Sequence, residues 1–154
     1  MNTETSHTDA TKPSIVKPYA LGHGTLECRN LNESRRFYEE FLGLECVRHA
    51  MPAMAIRFGH NKFHIFCVEV GDDLHPTNLL NHWGIDVSSR EEVDAAHDAA
   101  KSQQSDYGIR QVTDVVLQHG VYSFYIEDLD HNWWEIQHYD GFQHDDVFDF
   151  GDRF

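Results

Sequence analysis

The sequence predicts an α+β fold in which two paired βαβββ modules form a cup-shaped, mostly antiparallel sheet with the helices outside. Two observations predict this fold. Strand-like and helix-like segments follow one another in the order β-α-β-β-β, and that order occurs twice along the 154 residues. The two halves also match each other in sequence at two fixed offsets, which is typical of a duplicated unit.

The first half begins with a strand within residues 19–31. A helix follows over residues 32–43, with Asn30 or Asn32 as its N-terminal cap and Gly43 at its end. Three more strands are then expected, around residues 45–50, 54–59 and 62–70.

The second half repeats this order after a loop. A strand at residues 82–87 precedes a helix over residues 89–104, which begins with serine caps and carries Val93, Ala96 and Ala100 at apolar positions. Three strands complete this half, at residues 108–117, 120–128 and 132–139.

Two offsets relate the halves to each other. An offset of 82 − 23 = 59 places His23 on His82, and an offset of 135 − 64 = 71 places His64 on Glu135. The offsets differ by 12 residues, which the longer loops of the second half can absorb. Because both matches occur in the same order, four titratable side chains occupy equivalent positions of the repeat.

These elements define one domain with two short extensions. Residues 1–17 are polar and are expected to form a flexible leader, and residues 18–140 are expected to form a single domain with modules at about 18–72 and 80–140. Residues 141–154 are rich in acidic side chains and are expected to form a solvated C-terminal tail.

Charge and cysteine content exclude several classes of function. Twelve basic against 26 acidic residues give a net charge of −14, which repels nucleic acid and anionic membranes. No apolar segment approaches the roughly 20 residues that a membrane span requires, and the N-terminal residues do not form a secretory signal. The three cysteines, Cys28, Cys46 and Cys67, lack metal-site spacing and indicate reduced thiols in a cytoplasmic protein.

Alternation of side chains along the strands predicts where the repeat-equivalent residues point. The apolar neighbours of each residue must enter the helix-covered core, so His23, His82 and Glu135 point to the open face of the sheet. His64 points the same way, because both of its neighbours are apolar. If each half curls its sheet into half a cup, the four side chains meet at the centre. The sequence leaves open whether the cup closes within one chain or between modules exchanged by two chains of a homodimer.

Three imidazoles and one carboxylate around a cavity form a metal-ligand set. Two histidines and one carboxylate with open coordination positions are typical of non-heme Fe(II) oxygenases, and Mn(II) takes the same ligands. We therefore expect His23, His82 and Glu135 to bind one divalent metal. The following histidines are instead expected to be ordinary, mostly surface residues: His7, His49, His60, His75, His97, His131, His138 and His144.

Three segments, HGTLECRNLNESRRFYEEFLG, NHWGIDV and SFYIEDLDHNWWEI, resemble the vicinal oxygen chelate superfamily. Its members include glyoxalases, fosfomycin-resistance thiol transferases, bleomycin-binding proteins and type I extradiol dioxygenases. The resemblance covers roughly residues 19–138. It implies paired βαβββ modules and a divalent metal held by His23, His82 and Glu135.

Within the superfamily, the resemblance favours the ring-cleaving branch. At the position of His64, ring-cleaving members carry a histidine that moves protons, whereas glyoxalases with four protein ligands carry a metal-binding glutamate. The segment from His119 to Glu135 also resembles the extradiol signature, with Tyr125 ten residues before Glu135. His119 lies closer to Tyr125 than the signature has it.

The resemblance therefore implies an iron-dependent oxidoreductase. It would be an extradiol-type dioxygenase that cleaves a catecholic or hydroquinone-like aromatic ring with O₂. His64 would take and return the substrate proton, because imidazole titrates near neutral pH. Tyr125 would hydrogen-bond the reacting oxygen, and His119 would assist.

Two other functions stay open. The first is a glyoxalase-type lyase or isomerase, or a thiol transferase, which would use Zn(II), Ni(II) or Mn(II) on the same ligands. The second is a non-catalytic binder of a cationic drug, which the net charge of −14 favours. A thiol transferase for fosfomycin needs a cationic cradle, whereas a sequestering protein has no need of a metal-ligand set. The identity of the bound metal would separate these functions.

Overall fold

The computed structural model describes residues 14–60 and 63–152 and contains two modules. The first module consists of β1 (His23–Cys28), α1 (Leu31–Arg36) continued by a π-helical turn (Phe37–Phe41), β2 (Glu45–Arg48), β3 (Ala53–Arg57) and β4 (His64–Glu69). The second consists of β5 (His82–Asp86), α2 (Arg90–Ser102), α3 (Gln104–Tyr107), β6 (Gln111–Val112), β7 (Val116–Gln118), β8 (Val121–Glu127) and β9 (Trp133–Tyr139). A last helix, α4 (Gln143–Phe150), follows β9.

Each module forms one sheet, and both sheets have the same topology. The strand orders are β1-β4-β3-β2 and β5-β9-β8-β6, with β7 also paired to β8. In each sheet the edge pair is parallel, β1 with β4 and β5 with β9, and the other pairs are antiparallel. The predicted α+β fold of paired βαβββ modules is therefore confirmed. The strand predicted over residues 108–117 is instead two short strands, because residues 113–115 leave the ladder.

The helices begin where the sequence predicts. Of the two candidate caps of α1, Asn30 is the cap, and its side chain accepts hydrogen bonds from the backbone N–H groups of Asn32 and Glu33. Gly43 follows the helical segment with φ of +70°, a conformation that glycine adopts at little cost. Ser89 caps α2 by accepting a hydrogen bond from the N–H of Glu92.

Apolar side chains from both sheets form one core. Leu26 of β1 and Trp134 of β9 belong to the same buried cluster, and the Tyr38 ring packs 5.6 Å from Trp134. A Cβ atom on Gly24 would overlap the ring of Trp83, so this glycine allows β1 to approach β5. The modules thus pack back to back through their helix-covered faces, and their open faces point away from each other.

A buried polar network joins the modules. The Asp128 carboxylate accepts hydrogen bonds from the Trp134 indole N–H at 3.0 Å and from the Tyr38 hydroxyl at 3.3 Å. Asp130 accepts from the Ser34 hydroxyl and from the backbone N–H of Arg29. Burial raises the pKa of Asp128 to about 7, although the hydrogen bond from Trp134 acts in the opposite direction.

The strand register differs from one of the two sequence offsets. The matched parallel pairs are His23 with His64 and Thr25 with Phe66 in the first module, and His82 with Trp133 and Gly84 with Glu135 in the second. The offset of 59 holds between β1 and β5, but β4 and β9 are related by 135 − 66 = 69 residues rather than 71. Phe66, and not His64, therefore corresponds to Glu135. The predicted face is unaffected, because a shift of two residues preserves alternation.

The predicted extensions are only partly described. Of the expected leader, residues 14–17 are described and lie outside helices and strands. The expected acidic tail contains α4, which holds to β9 through hydrogen bonds from Gln137 to Gln143 at 3.1 Å and from Tyr139 to Asp146 at 2.7 Å. In the described part of the chain, no helix combines the length and the apolar character needed to cross a membrane.

Candidate metal centre

A histidine and a glutamate from neighbouring parallel strands meet on the open face of the second sheet. His82 begins β5, and Glu135 lies in β9 opposite Gly84. In this ladder His82 pairs with Trp133, so Glu135 lies two residues further along β9 on the same face as His82. The His82 Nε2 atom lies 3.1 Å from Glu135 Oε2. This contact agrees with the sequence prediction that the two side chains share a face.

The other ring nitrogen of His82 determines what the pair can bind. Nδ1 lies 2.6 Å from the backbone carbonyl oxygen of Leu79, and a carbonyl can only accept, so Nδ1 carries a proton. In the neutral ring, Nε2 then has a lone pair, and it faces a carboxylate oxygen. Two acceptors at this separation need a positive charge between them, either a metal ion or a second imidazole proton. A carbonyl that fixes the tautomer in this way is typical of metal-ligating histidines.

Ser123 and Tyr125 of β8 complete the surroundings of the carboxylate. The Ser123 hydroxyl donates a 2.6 Å hydrogen bond to Glu135 Oε1. The Tyr125 ring lies 5.0 Å from the His82 ring in an edge-on arrangement. Burial, together with a hydrogen bond to Glu135, raises the pKa of Tyr125 to about 12, so its hydroxyl remains a proton donor at neutral pH.

His23 and His64 form a second group on the other sheet. Their rings stack with centroids 5.7 Å apart, as their pairing across β1 and β4 requires. Within residues 14–60 and 63–152, no three His, Cys, Asp or Glu side chains come together closely enough to hold a metal ion. One chain therefore brings together His82, Glu135 and Tyr125, but it does not bring His23 or His64 to them.

The back-to-back packing explains why the four repeat-equivalent residues do not meet in one chain. Strand alternation places each of them on the open face of its own sheet, as expected. The cup, however, requires the two open faces to look at each other, and the shared core turns them outward. Of the two arrangements that the sequence leaves open, closure within one chain is thus not observed.

His119 lies away from the candidate centre. It is in the turn between β7 and β8, with φ of +53°. That turn is at the Tyr139 end of the β8–β9 ladder, where Val121 pairs with Tyr139. Tyr139 is four residues from Glu135 along β9, which is roughly 13 Å of strand. The geometry gives His119 no contact with the His82–Glu135 pair.

Sequence reasoning missed two residues beside these groups, Ser123 and His49. Ser123 is two residues before Tyr125, so alternation on β8 could have placed it with Glu135. Phe66 lies between imidazoles, with ring centroids 5.1 Å from His23 and 4.7 Å from His64. His49, expected to be an ordinary surface residue, has its ring centroid 4.6 Å from Phe66. His49 was discounted because twelve histidines make any single one a weak signal.

The second sheet presents an uncharged to acidic open face. The residues that β5, β8 and β9 place on this face in the described strands include neither lysine nor arginine, and they are His82, Gly84, Asp86, Val121, Ser123, Tyr125, Glu127, Trp133, Glu135, Gln137 and Tyr139. This lining suits a cation, including a divalent metal, and does not suit an anionic substrate.

The donor atoms fit a divalent metal. Imidazole nitrogen and carboxylate oxygen suit Zn, Mn, Fe and related ions, and both ligand side chains here are oriented by partners, Leu79 for His82 and Ser123 for Glu135. Two protein ligands would leave the coordination incomplete, so further ligands from outside this sheet, or water, would be needed to complete it.

A family model matches most of the chain. The model, described as the Glyoxalase/Bleomycin resistance protein/Dioxygenase superfamily, covers residues 20–136. This span runs from before β1 into β9 and includes His23, His64, His82, Tyr125 and Glu135. Comparison of the sequence with curated proteins gives no match.

Solved structures with the same fold include proteins of different function. The genomically encoded fosfomycin resistance protein FosX from Listeria monocytogenes is 21% identical with a TM-score of 0.64, over 87% of this chain and 100% of that chain. A possible glyoxalase from Bacillus cereus is 22% identical with a TM-score of 0.60, over 77% and 98%. Lactoylglutathione lyase from Agrobacterium tumefaciens is 20% identical with a TM-score of 0.55, over 79% and 94%. At these identities the likeness shows the fold alone.

Proposed function

Because the chain belongs to the glyoxalase/bleomycin resistance protein/dioxygenase superfamily, we propose that it is a metal-dependent enzyme, and specifically an extradiol-type dioxygenase. It would use Fe(II) and O₂ to cleave a catecholic or hydroquinone-like ring. The observation that carries the proposal is the His82–Glu135 pair, in which the imidazole Nε2 and the carboxylate Oε2 lie 3.1 Å apart. A metal held between them satisfies both atoms.

We place the third ligand, His23, in a second copy of the chain. His23 is exposed on the open face of the first sheet, and that face must meet the open face of a second sheet to form a cup. β1 and β5 stand at the ends of their sheets, so each has an edge that can take another strand. A symmetric homodimer would then contain two equivalent centres, each built from both copies.

The residues around the centre have separate roles. A divalent metal held there would supply Lewis acidity and would bring the substrate hydroxyl and dioxygen together. His64 lies beside His23 and is placed to take the hydroxyl proton and return it. Tyr125 keeps its own proton, because its pKa is about 12, and donates a hydrogen bond. Ser123 holds Glu135 in place.

The lining of the faces favours a neutral substrate over an anionic one. A transferase acting on a phosphonate needs cations that are free to bind it. In the second sheet the described strands β5, β8 and β9 place no lysine or arginine on the open face, and Arg110 lies 3.8 Å from Glu127; in the first sheet Arg57 is paired with Glu45 at 2.7 Å. A four-ligand centre would need another ligand at the position that corresponds to Glu135, and Phe66 occupies it.

The proposal can be tested on the purified protein. After loading with Fe(II) in the absence of air, addition of catechol or hydroquinone and then O₂ should consume O₂ and produce a ring-opened product, which is yellow for catechol. Glu135→Gln should lose both the metal and the reaction, as measured by elemental analysis and absorbance. Absence of O₂ consumption with every dihydroxybenzene, together with lyase activity in the presence of Ni(II) or Zn(II), would contradict the proposal.

His64 distinguishes the two metal chemistries. We expect His64→Ala to keep its metal and to lose most of the rate, because the residue moves protons and does not bind the ion. If the variant loses its metal instead, His64 is a fourth ligand two residues before the position equivalent to Glu135, and glyoxalase-like chemistry is favoured.

We also propose that the protein works in the reducing cytoplasm. Cys28, Cys46 and Cys67 are all free and buried. Burial raises the pKa of the Cys46 thiol to about 12, which keeps it protonated and unreactive. Buried, unpaired thiols are typical of proteins that are not exposed to an oxidising compartment.

A further inference from the structure

Three imidazoles surround one phenyl ring on the open face of the first sheet. Ring centroids of His49, His64 and His23 lie 4.6, 4.7 and 5.1 Å from that of Phe66. The proposed function accounts for His23 and His64, but it gives no role to His49. Among the three, His49 also approaches Phe66 from a different strand, because it follows β2 rather than lying in β1 or β4.

A hollow lies between His49 and His64. Its volume is about 470 Å³, within the range of sites for small molecules. The lining includes Val47, Ala55 and Phe66 as apolar surface, with His49 and His64 at its polar edges. The small side chain of Ala55 on β3 leaves the space open, since Ala55 is the direct neighbour of both Phe66 and Val47 in the ladder.

His49 is held on the far side of this hollow from the proposed metal ligand. Its backbone N–H donates to the carbonyl of Ala53 at 3.1 Å, which fixes the residue in the β2–β3 hairpin. The sheet order places two strands between β2 and β1, so the backbones of these strands are roughly 14 Å apart, and the His49 and His23 rings approach Phe66 from the two ends of the sheet. A ring that reaches the metal beside His23 and lies against Phe66 would turn its opposite edge toward His49.

The charged residues that line the hollow favour an uncharged ring over an anionic ligand. Arg57 is the basic residue of the lining, and its guanidinium is bound by both oxygens of Glu45, at 2.7 and 3.3 Å. No unpaired cation among the described lining residues is left for a carboxylate or phosphate on the ligand. Imidazole can donate a hydrogen bond to a hydroxyl or accept one from it.

We infer that the hollow binds the aromatic ring of the substrate and that His49 hydrogen-bonds a hydroxyl on the ring edge remote from the metal. The inference rests on the proposed function and narrows its substrate to uncharged rings with a hydroxyl at that edge, the hydroquinone class. His49 is thus a specificity-determining residue, and Phe66 and Ala55 provide the apolar surface for the ring.

Binding of two simple probes tests the inference without turnover. The full-length protein should bind p-cresol about tenfold more tightly than toluene, as expected for one hydrogen bond of about 1.4 kcal/mol. His49→Phe keeps an aromatic ring against Phe66 but has no nitrogen atoms. It should bind toluene like the wild type and lose the preference for p-cresol. His49→Gln, which keeps a polar group, should recover part of the preference, as measured by equilibrium dialysis.

The control is His144→Gln, which removes an exposed imidazole on α4 and should leave the preference unchanged. A preference that is absent from the wild type, that survives in His49→Phe, or that disappears equally in His144→Gln overturns the inference. A protein that shows the preference but cleaves no ring would contradict only the proposed dioxygenase. A protein that cleaves hydroquinone with the same KM in His49→Phe as in the wild type would contradict only the role of His49.

Discussion

Both oxygens of the Glu135 carboxylate have a partner, as the proposed role as a metal ligand requires. One oxygen faces His82, and the other accepts a hydrogen bond from Ser123. The serine is buried, so its hydroxyl has little competition from water. This arrangement fixes the rotation of the carboxylate before any ion binds, which lowers the cost of assembling the centre.

Ser123→Ala should weaken metal binding while leaving the fold intact. Loss of a partner that orients a ligand typically costs about 10- to 100-fold in metal affinity, and we expect a loss of that size for Zn(II), measured by competition with a chelator. Ser102→Ala, which removes an exposed hydroxyl at the end of α2, is the matched control and should bind Zn(II) normally. Equal affinities in both variants would show that Ser123 does not position Glu135.

Asp128 makes stability depend on pH. Its pKa is raised by burial to about 7, whereas in the unfolded chain an aspartate titrates near 4. Between these values the folded state holds a proton that the unfolded state has released. The free energy of unfolding should therefore fall as pH rises from about 4 to about 7. Asp130 acts in the same direction, because burial raises its pKa as well.

Asp128→Asn should reduce this slope and destabilise the protein at every pH. An amide has one acceptor oxygen, so its NH₂ group would face a donor such as the indole N–H of Trp134, at a cost of about 1–3 kcal/mol. Urea unfolding at pH 5 and pH 8 measures both effects. Asp98→Asn, which changes an exposed carboxylate of α2, is the control. An unchanged slope in Asp128→Asn would place the titration elsewhere.

At the level of single residues, the sheet face on which a side chain lies was easier to predict than the residues it contacts. Alternation correctly placed His82 and Glu135 on one face, because the strand period of two is independent of exact register. Ser123 obeys the same rule, yet serine is too common in strands to be noticed. His49 was missed for a different reason, since its contact with Phe66 depends on a hairpin conformation that has no signature in sequence.

Among the elements, the approach of β1 to β5 depends on Gly24. Gly24→Ala should destabilise the protein by about 1–3 kcal/mol, because the added methyl group would overlap the Trp83 ring in a packed junction. Gly22→Ala is a close control, since its Cβ would meet no atom within 4 Å. Thermal unfolding compares the two. If Gly24→Ala is as stable as Gly22→Ala, the ring moves aside freely and the junction is not tightly packed.

Element boundaries were predicted well where capping signals exist and less well where only apolar pattern exists. Asn30, Gly43 and Ser89 mark helix ends through backbone hydrogen bonds that few residue types can make. The pairing of β4 against β9 has no such marker. A shift of two residues leaves the apolar pattern unchanged, so the sequence offset matched His64 with Glu135, whereas the ladder matches Phe66 with it.

For the whole molecule, the main prediction is that two metal-free variants complement each other in a mixed dimer. His23→Gln and Glu135→Gln should each fail to hold metal. When equal amounts of the two variants are mixed and refolded together, half of the dimers should contain one chain of each variant. Each of these mixed dimers should have one intact centre. We expect about a quarter of the wild-type metal content and activity, measured by elemental analysis and O₂ consumption.

Failure of this complementation would contradict the proposal that each metal centre is shared between two copies of the chain. If the mixture holds no more metal than the separate variants, His23 does not join a second copy's His82 and Glu135. Wild-type protein mixed with Glu135→Gln provides the control for refolding yield.

The arrangement of the modules could not be predicted from sequence. Duplication and alternation are local properties, and they establish two sheets with one open face each. Whether the open faces meet within a chain depends on which sides of the sheets pack together. Here the helix-covered sides pack into a common core that contains Tyr38, Trp134 and Trp83. The sequence pattern of these aromatic residues is compatible with open faces that meet and with open faces that point apart.

The tryptophans give the molecule a built-in optical reporter. All three belong to the edge pair that carries the candidate ligands: Trp83 follows His82, Trp133 pairs with His82 across the ladder, and Trp134 precedes Glu135. Their emission therefore originates within a few residues of the pair, with no indole elsewhere to dilute it. Loading with Fe(II) or Ni(II) should quench this fluorescence, whereas spectroscopically silent Zn(II) should mainly shift it, so occupancy can be followed without any label.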